Sequence, residues 1–239
     1  MKTELAVALD FPTREQAEDF LARLKNLSAA DQKRVVLKVG LELFLATGAD
    51  WVRSLIANGY RVFLDLKFHD IPNTVVGAAL QAGRMGADFF TLHLSGGGPM
   101  MQKVKAALDQ AVSEKEFAKR PRVLGVSVLT SFSEKDFAAV YSGKGVSDAV
   151  RDWVSLGQAS GVDGIVCSPH EVAQVKSQFP SLFTVVPGIR PSGSDAGDQA
   201  RVMTPKDASK AGADLIVVGR PITQAKDPVA VIQSILGEL

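Results

Sequence analysis

Hydrophobic positions along this chain fall into two alternating kinds of segment. Short runs rich in β-branched residues read as strands: Leu5–Leu9, Val35–Val39, Arg61–Leu66, Phe89–Leu94, Arg122–Leu129, Gly164–Cys167, Phe183–Val186 and Leu215–Val218. Between them run longer amphipathic stretches with helical spacing, at Glu15–Leu27, Asp50–Asn58, Thr74–Met85, Met100–Lys115, Val150–Ala159, Pro169–Ser177, Pro205–Ala211 and Pro228–Leu236. A strand followed each time by a helix predicts a parallel sheet. Eight such units in 239 residues predict an α/β protein with a closed (β/α)8 barrel, the TIM-barrel architecture, in one domain spanning residues 1–239. The rival is an open doubly wound sheet, but no Gly-x-Gly-x-x-Gly follows the first strand.

Glycines mark helix ends at Thr47-Gly48, Asn58-Gly59, Met85-Gly86, Ser160-Gly161 and Ala211-Gly212. The last three continue into Asp88, Asp163 and Asp214, a weak Gly-x-Asp repeat of barrel construction with no catalytic meaning expected.

Charge breaks the apolar pattern most sharply in Val62-Phe-Leu-Asp-Leu-Lys-Phe-His-Asp-Ile-Pro-Asn-Thr-Val75. Residues two apart on a strand share a face, so Asp65 and Lys67 are expected to project together. A lone Asp-x-Lys on an exposed edge would be an idle ion pair. Here Val62, Phe63, Leu64, Leu66 and Phe68 predict a strand buried on both faces, whose terminal charges need a reason. Asp70 lies beyond the strand, and Pro72 suits the first turn of the next helix.

In such barrels active sites form where strands end. Polar groups stand there along the whole chain: Asp10 after strand one, Lys38 in strand two, Asp65 and Lys67 in strand three, Thr130 and Ser131 after strand five, Arg190 after strand seven, and Gly219 with Arg220 after strand eight. The final pair, followed by Pro221, suits an anion such as phosphate. The polar segment from Arg190 to Gln199, with Gly193 and Gly197, reads as a lid carrying phosphate contacts at Arg190 and Gln199, an idle surface loop being the bland alternative.

The run Asp65-Leu-Lys-Phe-His-Asp-Ile-Pro-Asn-Thr74 resembles the signature of the orotidine 5′-phosphate decarboxylase family. Val7–Asp10, Leu37–Gly40, Val128–Ser131, Pro187–Arg190, Gln199 and Val218–Arg220 resemble its other landmarks in the same order. The resemblance implies decarboxylation of orotidine 5′-phosphate to UMP and CO2, without metal or cofactor, in pyrimidine biosynthesis. It implies that Lys38, Asp65, Lys67 and Asp70 form an alternating charge network in which Lys67 protonates the C6 carbanion. A fixed ammonium costs no reorganisation when negative charge develops. Asp70 beside the departing carboxylate would raise the energy of bound substrate. By the same resemblance Asp10 and Lys38 contact ribose, Thr130 and the neighbouring Ser131 face the pyrimidine, and Arg190, Gln199, Gly219 and Arg220 hold phosphate. Asp70 and Thr74 enter from a neighbouring subunit, which implies a homodimer with shared sites.

A net charge of +1 with scattered cations gives no footprint for nucleic acid or an anionic membrane. No apolar run approaches the roughly 20 residues of a membrane span, and the first eleven residues lack signal-peptide order, so a soluble cytoplasmic protein with a small-molecule substrate is expected. Cys167, the only cysteine, reads as core. His69 and His93 are weak candidates for direct chemistry, three scattered histidines do not make a metal site, and His170 reads as a shaping residue at a helix start. Ser95-Gly96-Gly97-Gly98-Pro99 reads as close-packed backbone rather than an anion cradle. Two other readings compete. Related phosphosugar barrels, hexulose phosphate synthases and keto-acid sugar phosphate decarboxylases, share the Asp-x-Lys-x-x-Asp motif but use Mg²⁺, with an acidic ligand where this chain has Lys38. A non-catalytic nucleotide-binding barrel is the third, although it has no need of four alternating charges.

Overall fold

The computed structural model describes residues 2–129, 131–191 and 203–239. Its strands are β1 (Glu4–Ala8), β2 (Val35–Gly40), β3 (Arg61–Phe68), β4 (Phe89–His93), β5 (Arg122–Val126), β6 (Gly164–Val166), β7 (Phe183–Val186) and β8 (Leu215–Val218). They pair in sequence order, all parallel, and β8 closes on β1. The helices are α1 (Arg14–Arg23), α2 (Ala29–Arg34), α3 (Leu41–Ala57), α4 (Pro72–Met85), α5 (Gly98–Ser113), α6 (Glu134–Val140), α7 (Val146–Ala159), α8 (Val172–Gln178), α9 (Pro205–Lys210), α10 (Arg220–Thr223) and α11 (Pro228–Glu238).

The two faces of each strand feed two cores. Leu5, Val7 and Leu9 of the first strand region, with Leu37, Val62, Leu64, Phe90 and Ile216, pack outward against the helices. Ala6, Ala8, Val36, Phe63, Phe89, Leu124, Val185, Leu215 and Val217 fill the barrel's interior. Phe89 meets Phe63 edge-on at 6.1 Å and stacks on Phe183 at 5.6 Å. Arg122 covers Phe183 at 4.7 Å and Arg61 covers Phe89 at 5.6 Å. These rings close the N-terminal end of the barrel. Removing a ring such as Phe63 or Phe89 from water stabilises the fold by roughly 2–3 kcal/mol each.

The Gly-x-Asp repeat has a structural meaning. Gly86, Gly161 and Gly212 take positive φ and let each helix turn into the next strand. The aspartate that follows then reaches across to the start of the preceding strand: Asp88 accepts from Val62 N–H at 3.1 Å, Asp163 from Val123 N–H at 2.7 Å and Asp214 from Thr184 N–H at 2.8 Å. Each carboxylate also pairs with a cation, Lys119, Arg120 and Lys176 respectively. The repeat pins β3, β5 and β7 at the end of the barrel remote from the strand C-termini.

Several expected boundaries differ. β5 stops at Val126, so Val128 and Leu129 are loop, apolar because they wall a cavity rather than because they pair. The helix expected over Asp50–Asn58 begins at Leu41 and passes through Gly48, whose φ of 74° breaks it into two pieces. α2, α6 and α10 are short helices that the apolar spacing did not announce. His170 lies in a turn two residues ahead of α8 rather than at its start. At Ser95–Pro99 a 3-10 turn leads into α5, and a Cβ on Gly96 would lie 2.4 Å from the Met100 side chain, so the glycines serve close packing.

Candidate active site

β3 is not a regular strand where its charges lie. Phe63 and Leu64 pair with Phe89 and Phe90, but Phe68 pairs with Leu92, so Asp65, Leu66 and Lys67 face the single residue Thr91. Two extra residues make a bulge, and Lys67 within it has φ 51°. A non-glycine residue in that region is strained by about 1–2 kcal/mol. Asp65 and Lys67 do project together as expected, but within a bulge and not on a regularly paired strand: their side chains touch, Lys67 Nζ to Asp65 Oδ1 at 2.8 Å.

Lys38, one strand away, stands 3.6 Å from Asp65 Oδ2 and donates to Asp10 Oδ1 at 3.1 Å. Asp65 thus receives an ammonium on each oxygen, and Thr91 Oγ1 donates to Oδ1 at 3.0 Å. Burial alone would raise the Asp65 carboxyl, whose side chain is 15% exposed. Lys38, Lys67 and the two hydrogen bonds outweigh it and hold the group below the ordinary carboxylate value. Asp10 at the outer edge of the chain of charges is 63% exposed. The structure therefore brings Asp10, Lys38, Asp65 and Lys67 into one array.

Asp70 is not in its own chain's array. It is exposed, and its Oδ1 accepts from Ile71 N–H at 2.6 Å, at the turn where Pro72 opens α4. Thr74, in the first turn of that helix, is exposed as well. His93 ends β4 with its ring 5.3 Å from that of His69. Burial first, then His69 and Lys67, push the His93 imidazole below its ordinary value against the pull of Asp65, so it is neutral near pH 7.

Two cavities meet at the array and share Lys38, Asp65, Pro187 and Val217 as walls. The outer one, about 650 Å³, is lined by Asp10, Lys38 and Asp65 on one side and by Gly188, Arg190, Gly219 and Arg220 on the other. The inner one, about 180 Å³, has Lys38, Asp65 and Lys67 against apolar walls of Phe63, Val126, Val128, Leu129, Val166 and Cys167. The shape is a narrow apolar slot with charge at one edge, opening into a wider chamber with two guanidinium-bearing residues. Arg190 is placed by a bridge between Ile189 and Met203 and by its N–H donating to Met203 O at 3.0 Å. Gly219 caps α10, and its Cβ position lies 3.5 Å from Ala8. Cys167 is buried with its thiol pushed far up by desolvation, which suits a wall residue and not a nucleophile. Thr130 and Gln199, together with the expected lid over residues 192–199, lie outside the described residues. Among the described residues no three His, Cys, Asp or Glu side chains converge as a metal site requires.

Residues 3–235 match the profile of the family described as orotidine 5′-phosphate decarboxylase / HUMPS. The chain belongs to that family. Orotidine 5′-phosphate decarboxylase from Idiomarina loihiensis is 44% identical over 234 residues, covering 98% of this chain and 96% of the relative. The protein of that name from Pseudomonas fluorescens Pf-5 is 43% identical over 238 residues, covering 100% of this chain and 97% of the relative. The crystal structure of orotidine 5′-phosphate decarboxylase from Lactobacillus acidophilus superposes with a TM-score of 0.85 at 36% identity, covering 100% of this chain and 99% of that one. Membership in the decarboxylase / HUMPS family leaves two chemistries open, and the charge array bears on the choice between them. No described helix is long and apolar enough to cross a membrane.

Sequence reasoning reached the charged members of this site and missed Thr91. Within Phe89–His93 a threonine reads as a strand former. The available signal was its place two residues beyond interior Phe89, which puts it on the barrel's inner face at the level of the charges.

Proposed function

We propose that this protein decarboxylates orotidine 5′-phosphate to UMP and CO2 without a metal or cofactor. The observation that carries the reading is the Lys38–Asp65–Lys67 array at the joint of a base-sized slot and a chamber bearing Arg190 and Arg220. The pyrimidine enters the slot, ribose lies against Asp10 and Lys38, and the phosphate reaches Arg190, Gly219 and Arg220. The bond from C6 to the carboxylate breaks and its electron pair stays on C6. The Lys67 ammonium stabilises that carbanion and delivers its proton to C6, giving UMP, and the amine is reprotonated from water. Stabilisation of this kind is effective because the cation is already in place before charge develops.

The Mg²⁺-dependent branch of the family fits these residues poorly. The ammonium of Lys38 stands between Asp10 and Asp65, where a divalent ion would have to sit, and a protonated lysine offers no lone pair. Purified protein dialysed against EDTA is expected to consume orotidine 5′-phosphate at an unchanged rate, followed by loss of substrate absorbance. A rate that collapses and returns with Mg²⁺ would overturn the metal-free reading.

The functional unit is a homodimer in which Asp70 and Thr74 complete the partner's site. Support comes from their exposure on their own chain and from exposed apolar side chains on their own and the preceding βα unit: Ile71, between the two, is 68% exposed, and Leu41 and Leu45 of α3 are 55% and 82% exposed. Ile71→Asp, which places a charge in that surface, is expected to sediment as a monomer and to lose at least about a hundredfold in kcat, since burying an unpaired charge costs several kcal/mol. A fully active monomer would exclude shared sites.

A further inference from the structure

We propose that Thr91 is a positioning residue of the reaction, whose hydroxyl locks the β3 bulge so that the Lys67 ammonium and the Asp65 carboxylate are held together beneath the reacting carbon. The inference rests on the decarboxylase reading and deepens it. Thr91 is fully buried on β4, opposite the three bulged residues. A hydroxyl has one proton to donate and lone pairs to accept. Here the proton goes to Asp65 Oδ1 at 3.0 Å, and the oxygen accepts from the Lys67 backbone N–H at 2.9 Å. Asp65 Oδ1 in turn accepts from Lys67 Nζ at 2.8 Å. The three bonds close a ring that ties the main chain of Lys67 to the tip of its own side chain.

That ring supplies what the sheet does not. Register is lost between Leu64 and Phe68, so the Lys67 N–H finds the Thr91 hydroxyl in place of the regular ladder. Lys67 also holds a left-handed backbone that its neighbours must enforce. Without the hydroxyl the N–H loses its partner, the bulge can relax, and Asp65 keeps its ion pairs but not the donor that fixes its rotation. The chamber residues Arg190, Gly219 and Arg220 are on other strands' ends and are untouched by this change. The expected defect is therefore in turnover and not in substrate capture.

Thr184 provides the matched control. It is equally buried, and its hydroxyl also bridges a backbone and a carboxylate, accepting from Asp214 N–H at 3.2 Å and lying 3.1 Å from Asp214 Oδ2, but at the start of β7. Thr91→Val is expected to lower kcat about 10- to 100-fold, the loss of a hydrogen bond to a charged group, with KM for orotidine 5′-phosphate changed less than about threefold. The acid limb of its kcat/KM profile moves to higher pH, because Asp65 loses one of the donors that depress it. Thr91→Ser restores kcat, and Thr184→Val melts earlier with full kcat. If the valine protein does not fold, Thr91→Ala must show the same kcat loss. A valine or alanine variant with wild-type kcat and pH profile, a serine variant that fails to restore turnover, or a Thr184→Val protein with the same kcat loss would each overturn the positioning role while leaving the decarboxylase reading standing. Wild-type protein that leaves orotidine 5′-phosphate intact would instead fail that reading itself, and the inference with it.

Discussion

Lys67→Ala is expected to lower kcat for orotidine 5′-phosphate by about 10⁴- to 10⁷-fold while UMP binds within a few-fold of wild type. Two contributions multiply. A positioned proton donor gives about 10²–10⁴, and one preorganised charge or donor at the site of developing charge gives about 10²–10³. At about 1.4 kcal/mol per decade the combined loss is roughly 5–10 kcal/mol of transition-state stabilisation. Binding survives because the residues proposed for ribose and phosphate, Asp10, Lys38, Arg190, Gly219 and Arg220, stay in place and line the outer chamber. The fold survives as well. The Lys67 side chain is partly exposed, and Asp65 keeps its second cation, Lys38, at 3.6 Å. Stopped-flow turnover and calorimetric titration with UMP measure the two halves separately. A variant within tenfold of wild-type kcat would remove Lys67 from the chemistry, and a parallel loss of UMP affinity would make it a binding residue.

Arg220→Ala is expected to separate the phosphate from the rest of the substrate. A guanidinium bound to phosphate makes charge-assisted, commonly bidentate bonds, each contributing about 1.5–3 kcal/mol. Two such bonds correspond to a fall of about 10²–10⁴ in kcat/KM for orotidine 5′-phosphate. Orotidine without its phosphate has nothing to offer Arg220, and its kcat/KM should change less than about twofold. Because remote binding is drawn on at the reacting carbon, part of the loss should appear in kcat. Equal losses with both substrates would show that Arg220 shapes the chamber and does not recognise phosphate.

The architecture was legible because each strand is either apolar throughout or apolar on alternate residues. Phe183–Val186 and Leu215–Val218 were bounded by glycine, proline or aspartate, and the structure keeps them residue for residue. Arg122–Leu129 was read three residues too long because Val128 and Leu129 are apolar for a different cause, as walls of the inner cavity. The first half of α3 was missed because Gly48 reads as a stop signal, and the helix passes it with a break. In the site, charges out of place in an apolar pattern announced themselves. The bulge did not, since two inserted residues preserve the alternation of side chains downstream and leave no trace in a period-two reading. Thr91 stayed hidden for a related reason: its role exists only because the ladder beside it fails.

Phe63 lines the inner cavity from below, while Phe89 and Phe183 line a separate cavity of about 340 Å³ at the opposite end of the barrel, and the two spaces share no lining residue. Among the described residues the slot shares walls with the outer chamber and none with the cavity at the far end. On the proposed reaction, CO2 formed in the slot would leave by way of the outer chamber, past the nucleotide held there. On that reading the two products share one route, and release of the phosphate at the rim would set when the slot empties.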